Sequence, residues 1–182
     1  MNMRLFTLTG IVMLAALARL IPHPPNVTPI AAMALFGGAY FSGRKAASAV
    51  PLAAMLLSDI ILGFLVYGNA LWASQPVVYA CIIVMVAMGR LVRPRCSPLS
   101  VALVTMASSV MFYVVTNFAV WAFGSFYPRT WDGLTTCYIA AIPFFRNTVM
   151  GDFAFTALLF GGFALLQYEL PVLREDRRFA TS

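Results

Sequence analysis

The chain has 182 residues, of which 62% are hydrophobic and only 10% are charged, and its mean hydropathy is +0.87. Soluble domains are roughly 45–50% apolar and about 25% charged, so this composition excludes a soluble enzyme and a disordered chain. The net charge of +6 would suggest nucleic-acid binding in a soluble protein, but in a membrane protein it reflects topology. We therefore expect a single transmembrane domain over residues 1–182 and no nucleic-acid partner.

Six apolar segments approach the roughly 20 residues that a helix needs to cross the hydrocarbon core of a bilayer. They cover residues 5–21, 28–41, 46–67, 71–92, 100–123 and 148–168. The sequence therefore predicts an all-α integral membrane protein, a bundle of six transmembrane helices. Because the second segment is short, five spans with one re-entrant piece are the alternative. Thr28 and Pro29 are expected to be the N-cap and the first helical residue of this second segment.

The first segment has features of two kinds of N-terminal element. Ala16-Leu17-Ala18 follows an apolar run and resembles the small-residue cleavage site of a signal peptide. An uncleaved first helix is favoured, because the later spans need neighbours to pack against.

Basic residues predict the orientation of the bundle, because they concentrate on the cytoplasmic side of a membrane. With the N-terminus inside, nine fall on the cytoplasmic side: Arg4, Arg44, Lys45, Arg90, Arg93, Arg95, Arg174, Arg177 and Arg178. The outer side receives only Arg19, Arg129 and Arg146. Both termini are therefore expected in the cytoplasm. The sequence has no GxxxxGK[ST] phosphate-binding loop, so ATP hydrolysis by this chain is not expected.

The strongly hydrogen-bonding side chains are concentrated towards the outer side of the expected bundle. They are His23, Asn26, Thr28, Asp59, Ser74, Gln75, Thr116, Asn117, Arg146, Asn147 and Asp152. Polar groups that face lipid are costly, so such residues usually face a cavity or a neighbouring helix. The pattern predicts a polar cavity that opens to the outside. Pairing with arginine, or helix capping, is the alternative explanation for either aspartate by itself.

Aromatic residues are frequent between the fifth and sixth segments. Residues 124–147 include two tyrosines and several phenylalanines as well as Trp131. We expect a long outer loop here, which is either an interfacial belt of aromatic side chains or a lid over a ligand.

Cys81 lies about halfway along the fourth segment, some 15 Å from its outer end at about 1.5 Å per residue. A buried cysteine usually acts as a small hydrophobic residue. A metal ion delivered by a ligand can instead bind the sulfur and displace its proton. Cys81 is therefore either a core residue or a soft metal ligand at the floor of the outward-open cavity. Cys96 and Cys137 are expected in loops, and the three cysteines lack the spacing of a zinc site or a disulfide framework.

Three stretches of the sequence carry a family resemblance. They are Arg19-Leu20-Ile21-Pro22-His23-Pro24-Pro25-Asn26-Val27-Thr28-Pro29-Ile30-Ala31, Leu35-Phe36-Gly37-Gly38-Ala39-Tyr40-Phe41 and Pro51-Leu52-Ala53-Ala54-Met55-Leu56-Leu57-Ser58-Asp59. They resemble the BtuM family, which comprises small bacterial membrane proteins related to the substrate-binding S-components of energy-coupling-factor (ECF) transporters.

The resemblance implies a six-helix bundle of the ECF S-component type in the bacterial inner membrane, with cobalamin (vitamin B12) as the transported ligand. It also implies that Cys81 is an axial ligand to the cobalt of cobalamin and assists removal of cyanide from cyanocobalamin. The candidate binding residues are Cys81, His23, Asn26, Thr28, Asp59, Tyr79, Asn117 and Arg146.

One departure from the S-component pattern concerns docking on the shared transmembrane module, which uses Ala-x-x-x-Ala in the first helix. Here Arg19 follows Ala15 by four residues and Leu20 follows Ala16, so the pattern is missing. A solitary protein that works without the shared ECF module is therefore expected, and its source of energy is left open. The alternatives are an S-component-like transporter for another vitamin or metal, with Cys81 inert, and a membrane enzyme that processes corrinoids through a thiol.

Overall fold

The computed structural model describes residues 3–67, 75–93 and 96–174, and within those ranges the regular structure is entirely helical. The principal helices are α1 (Met3–Leu17), α2 (Ile30–Tyr40), α3 (Arg44–Leu62), α4 (Gln75–Val92), α5 (Pro98–Phe123), α6 (Trp131–Thr156) and α7 (Gly162–Glu169). Short helical turns follow several of them, namely Ala18–Leu20 after α1, Gly63–Tyr67 after α3, Ala157–Gly161 between α6 and α7, and Pro171–Leu173 after α7. Residues 71–74 of the fourth expected segment, together with Arg95, Arg177 and Arg178, lie outside the described residues.

Five helical segments in the described part of the chain are long and apolar enough to cross a membrane. They are Met3–Leu20, Arg44–Leu65, Gln75–Val92, Pro98–Phe123 and Trp131–Glu169. The prediction of an all-helical, multi-pass membrane protein is therefore confirmed. The second expected span differs, because α2 has only 11 residues. At 1.5 Å per residue it is about 17 Å long, against a hydrocarbon core of roughly 30 Å.

The short helix α2 occupies the centre of the bundle. It contacts α1, α3, α4, α5 and α6, and nine consecutive residues, Ala31–Ala39, are buried. Its crossing with α4 is especially close, because a Cβ atom on Gly38 would lie 2.0 Å from Val86 O, and one on Gly89 would lie 2.2 Å from Leu35 O. Small residues allow membrane helices to approach in this way, so these two glycines fix α2 against α4.

One end of the bundle carries most of the described basic residues. There, Arg4 Nη2 donates a hydrogen bond to Tyr40 O at 3.1 Å, and Arg93 Nη1 donates to Phe41 O at 3.3 Å. Both guanidinium groups therefore lie at the C-terminus of α2, where the helix dipole favours positive charge. We call this end of the molecule, with Arg4, Arg93 and the C-terminus of α2, the basic end.

The opposite end holds residues 21–29, the connection between α1 and α2, and we call it the loop end. Asn147 Nδ2 of α6 donates to Pro25 O at 3.0 Å. A Cβ atom on Gly151 would lie 3.0 Å from Val27 Cα, so the connection packs directly on α6. Because α2 begins after this connection and ends at the basic end, the connection and α2 together run from the loop end to the basic end.

The expected N-cap of α2 is wrong by one residue. The helix begins at Ile30, and Pro29, rather than Thr28, is the residue that precedes it. Met33 N donates to Pro29 O at 2.8 Å, and no side chain caps the helix. The cause is tertiary packing, because the backbone of Thr28 is held close to Gly151 of α6.

The expected long loop over residues 124–147 is also wrong over most of its length. Only residues 124–130 separate α5 from α6, which begins at Trp131 and contains the expected sixth span in its continuation. Thr130 caps the helix by accepting a hydrogen bond from Gly133 N at 3.2 Å. The ring of Tyr113 on α5 packs against those of Tyr138 and Phe145 on α6. This contact stabilises a helical segment that the local sequence, with Gly133 and Pro143, did not indicate.

Candidate functional site

A cavity of about 790 Å³ lies at the loop end, where α2 leaves the centre of the bundle unfilled. Residues of α3, α4, α5 and α6 form its walls, and Ile30 and Ala31 at the start of α2 contribute to its base. Its rim is formed by exposed residues of the connection between α1 and α2, namely Ile21, Pro22, His23, Pro25 and Asn26. The volume falls within the range of about 300–1,000 Å³ typical of ligand pockets. Six of the polar residues that the sequence places towards the outer side line it, namely His23, Asn26, Thr28, Asp59, Gln75 and Asp152.

An ion pair is built into one wall of this cavity. Arg19 Nη2, in the turn after α1, lies 2.7 Å from Asp59 Oδ1 of α3, and the two side chains are only 11% and 7% exposed. Tyr79 and Gln75 of α4 donate to the other carboxylate oxygen, Oδ2, at 2.9 Å and 3.3 Å. Arg19 Nη1 also donates to Ser58 Oγ. Buried ion pairs are stable when further hydrogen bonds satisfy both groups, and Asp59 meets that condition.

Arg19 is a cavity-lining residue that the sequence did not single out as part of the site. It served there only as a marker of topology, yet it lines the cavity and joins α1 to α3. Its Nε atom is buried and has no hydrogen-bond partner among the described residues. The sequence does contain a signal for this pair. An arginine at the outer end of the first expected segment lies at the same expected depth as an aspartate in the third.

Asp152 lies on another wall of the same cavity and has different partners. Its side chain, on α6, belongs to a residue that is 3% exposed. Ser109 Oγ of α5 donates to Asp152 Oδ2 at 2.6 Å. In the part of the chain that the structure describes, no arginine, lysine or histidine pairs with Asp152, and Oδ1 accepts no hydrogen bond. One of the two explanations that the sequence left open, pairing with arginine, therefore holds for Asp59, whereas Asp152 has a hydroxyl as its partner.

Three expected binding residues lie at the rim of the cavity. His23 is exposed, and its Nδ1 atom lies 2.6 Å from Ile21 O. Asn26 has a φ of 65°, in the left-handed region that asparagine adopts more readily than most residues. Thr28 is half-buried and also lines the cavity. The connection between α1 and α2 thus presents polar groups above the apolar base of the cavity.

Cys81 is buried inside the bundle, with 2% of its surface exposed, but it does not line the cavity. Val78 and Met85, one turn to either side of it on α4, do line the cavity. The sulfur does not occupy the expected position at the cavity floor. A ligand in the cavity would reach it only after one of these neighbouring side chains had moved, and Met85 has the more adaptable side chain.

Three other expected residues also lie outside the cavity lining. Tyr79 is half-buried and bonds to Asp59, so it supports the wall from behind. Asn117 Nδ2 donates to Tyr113 O of its own helix at 2.8 Å. Arg146 is exposed on α6. The structure therefore places His23, Asn26, Thr28 and Asp59 around one cavity. Tyr79 joins them only through its bond to Asp59, and Cys81, Asn117 and Arg146 lie outside the lining.

Comparison with models of protein families matches residues 1–173 to a family of unknown function (DUF6580). No curated protein matches the chain, and no solved structure matches it. Within the described residues, no group of three or more histidine, cysteine, aspartate or glutamate side chains is arranged to hold a metal ion. A functional assignment therefore depends on the cavity and on the residues that line it.

Proposed function

The chain belongs to the DUF6580 family, and we propose that it is a membrane transport protein that binds cobalamin at the loop end and mediates its uptake. The observation that carries this proposal is the cavity of about 790 Å³ with an ion pair fixed in its wall. Both the all-helical membrane bundle and the absence of a phosphate-binding loop in the sequence suit a transporter that lacks its own ATPase.

The charge distribution supports an orientation with the basic end in the cytoplasm. The described basic residues predicted on the cytoplasmic side are Arg4, Arg44, Lys45, Arg90, Arg93 and Arg174, and Arg4 and Arg93 bond to the C-terminal end of α2. Because such residues concentrate on the cytoplasmic side, the cavity would open to the outer face of the bacterial inner membrane. The cargo would then enter from outside, as uptake requires.

The lining of the cavity suits a ligand that is partly apolar and rich in amide groups. Apolar side chains such as Leu62, Val78 and Phe112 form much of the surface, and Gln75 and Asn26 add amide donors and acceptors. A corrinoid has an apolar ring edged by amides, which these residues can match. Pockets of this volume typically enclose drug-sized ligands, and a corrinoid is larger. It would therefore insert one part into the cavity and extend across the rim near His23.

Cobalt ligation by Cys81 is the second step of the proposal. If the side chain of Met85 moves aside, the sulfur becomes accessible to a cobalt ion held by the corrin ring. The thiol would lose its proton to water and donate an electron pair to cobalt, as metals induce in coordinating thiols. The sulfur would take the place of the nitrogen base on its side of the cobalt, and cyanide would leave with its own electron pair, so neither sulfur nor cobalt would change oxidation state.

The experiment that tests the proposal incubates the purified protein with cyanocobalamin and measures retained cobalt by elemental analysis and the absorption spectrum of the complex. We expect the wild-type protein to retain cobalt and to shift the spectrum. Cys81→Ser should lose the spectral shift, whereas Cys137→Ser is the matched control, because Cys137 is equally buried but lies on α6 outside the cavity lining. A wild-type protein that retains no cobalt would overturn the assignment of cobalamin.

A second candidate is uptake of a different small ligand, with Cys81 inert. The position of the sulfur behind Val78 and Met85 favours it. A Cys81→Ser protein that binds cobalamin with the wild-type spectrum would exclude cobalt ligation but not cobalamin uptake. If decyanation proceeds in vesicles that accumulate no cobalamin, the protein is instead a corrinoid-processing enzyme.

A further inference from the structure

The two carboxylates that line the cavity, those of Asp59 and Asp152, differ in whether the protein neutralises their negative charge. Asp59 is neutralised by Arg19. Asp152 is 3% exposed and, among the described residues, bonds only to the hydroxyl of Ser109. An ionised carboxylate without a cation is costly in a low-dielectric interior, and ionisable residues within membrane spans commonly mark ion or proton pathways. The Asp152 site therefore needs a positive charge from solution.

The other charged and titratable groups around Asp152 do not supply that charge. Arg19 is bonded to Asp59, and the Nδ1 atom of His23 at the rim contacts Ile21 O. On α5, the hydroxyl of Tyr113 donates to Tyr138 O at 2.6 Å. On α2, the titratable residue is Tyr40, at the basic end. On α6 itself, Arg146 is exposed and is not paired with Asp152 within the described residues. Water or ions in the cavity are therefore the remaining source of a positive charge.

Buried hydroxyl groups continue from Asp152 towards the basic end. Ser109 Oγ lies 3.1 Å from Thr105 O, and Thr105 Oγ1 lies 3.4 Å from Thr156 Oγ1. Ser109 and Thr105 are 0% exposed and Thr156 is 5% exposed. Thr105 and Thr156 each lie one turn, about 5.4 Å, closer to the basic end than Ser109 and Asp152. Buried polar groups thus continue for one helical turn beyond Asp152 at the interface of α5 and α6, where Thr105 Oγ1 also donates to Val101 O at 2.8 Å.

We propose that Asp152 is a proton-binding site, and that protonation from the loop end and release towards the basic end are coupled to movement of the cargo. A proton from water in the cavity binds Oδ1, the oxygen without a described hydrogen-bond partner, and gives a neutral carboxylic acid. It later returns to water on the other side, and no electrons are transferred. The coupling rests on the proposed transport function, whereas the proton site does not.

Infrared spectroscopy of the reconstituted protein tests the proton site without any cargo. We expect a carbonyl band of a protonated carboxylic acid that weakens as the pH rises. The band should disappear in Asp152→Asn, shift in Ser109→Ala and persist in Asp132→Asn, the matched control, because Asp132 is exposed in the first turn of α6. A band that is absent from the wild type, or unchanged in Asp152→Asn, would overturn the proton site.

Uptake of cyanocobalamin into liposomes tests the coupling. An outside pH about one unit below the inside should raise accumulation by up to about tenfold for one proton per cargo molecule, since one pH unit is a tenfold ratio. Asp152→Asn should lose this response, measured as the ratio of accumulation with and without the gradient. A wild type that takes up cobalamin without responding to the gradient would overturn the coupling, and a response to sodium instead would overturn the proton as the coupling ion.

The infrared and cobalamin experiments distinguish a failure of the proton site from a failure of the transport function. If the wild type shows the infrared band but binds no cobalamin, the assigned cargo is wrong and the proton site stands. If it binds and transports cobalamin but shows no band, the proton site is wrong and the transport function stands.

Discussion

Each of two walls of the cavity contains a buried aspartate, but only one of the two is paired with a cation among the described residues. On the wall made by α3, α4 and the turn after α1, the carboxylate of Asp59 receives bonds from Arg19, Tyr79 and Gln75. On the wall made by α5 and α6, the carboxylate of Asp152 receives one bond, from Ser109. The charge of Asp59 is neutralised within the protein, so this wall has a structural role. The charge of Asp152 depends on what enters the cavity, so this aspartate is suited to gain and lose a proton.

Burial and residue type alone therefore do not determine the role of an aspartate in a membrane protein. Both line the same cavity, and each is at most 8% exposed. Their bonding partners distinguish them. Removing the partner of a paired buried charge strongly destabilises the protein, whereas an unpaired buried charge is itself destabilising. Substitutions on the two walls should consequently have unequal effects on stability.

Arg19→Ala should have the largest effect. The substitution leaves the Asp59 carboxylate buried without a counter-charge, and breaking a buried pair in this way costs about 3–5 kcal/mol. We expect a strongly lowered midpoint of thermal unfolding in detergent. Arg129→Ala, at an exposed position between α5 and α6, is the control. An apolar double variant, Arg19→Met with Asp59→Leu, should recover most of the loss, and a double variant as unstable as the single one would contradict the interpretation.

Tyr79→Phe should have the next largest effect, because it removes the 2.9 Å bond to Asp59 Oδ2 and leaves the ion pair in place. Hydrogen bonds to charged groups contribute about 1.5–3 kcal/mol, and partial exposure of Tyr79 puts the expected loss towards the lower value. Chemical denaturation of both proteins measures it. Tyr127→Phe, in the connection between α5 and α6, is the matched control. Equal stabilities of Tyr79→Phe and the control would show that this tyrosine does not support the wall.

Ser109→Ala tests the second wall and should cost less, about 0.5–1.5 kcal/mol for the lost hydrogen bond. Ser108→Ala is a close control, because Ser108 is equally buried and its Oγ contacts Met88 Sδ at 3.6 Å rather than a carboxylate. Unfolding should be compared at low and high pH. The loss should be larger at high pH, where Asp152 is ionised and depends on the hydroxyl. A loss independent of pH would indicate that Asp152 does not change its charge.

Much of the first wall was accessible from the sequence. Asp59 could be selected because it is a charged residue in an apolar segment, and it lines the cavity. Its partner, Arg19, could not be selected from the sequence, because this arginine also fits the pattern of a residue that sets the membrane topology. Only the helical turn at Ala18–Leu20, which continues α1, places its guanidinium group against α3.

The second wall and the position of Cys81 were less accessible, for two physical reasons. Ser109 is one of several serines in an apolar helix, and the sequence does not show which of them faces α6. The helix that contains Cys81 is apolar on all sides, so its periodicity does not specify which face lines a cavity. Likewise, residues 131–147 form a helix through ring contacts with α5, and such contacts override weak local propensity.

Asp152→Asn should have the smallest effect on stability and gives the sharpest contrast with Asp59→Asn. The amide oxygen of asparagine can still accept the bond from Ser109, while the cost of burying a charge disappears, so we expect a change within about 0.5 kcal/mol or a slight gain. Asp59→Asn should instead destabilise the protein strongly, because it leaves Arg19 unpaired. Thermal unfolding of the two variants side by side measures the difference. Equal destabilisation by both would mean that Asp152 has a counter-charge of its own, and the distinction between the two walls would then disappear.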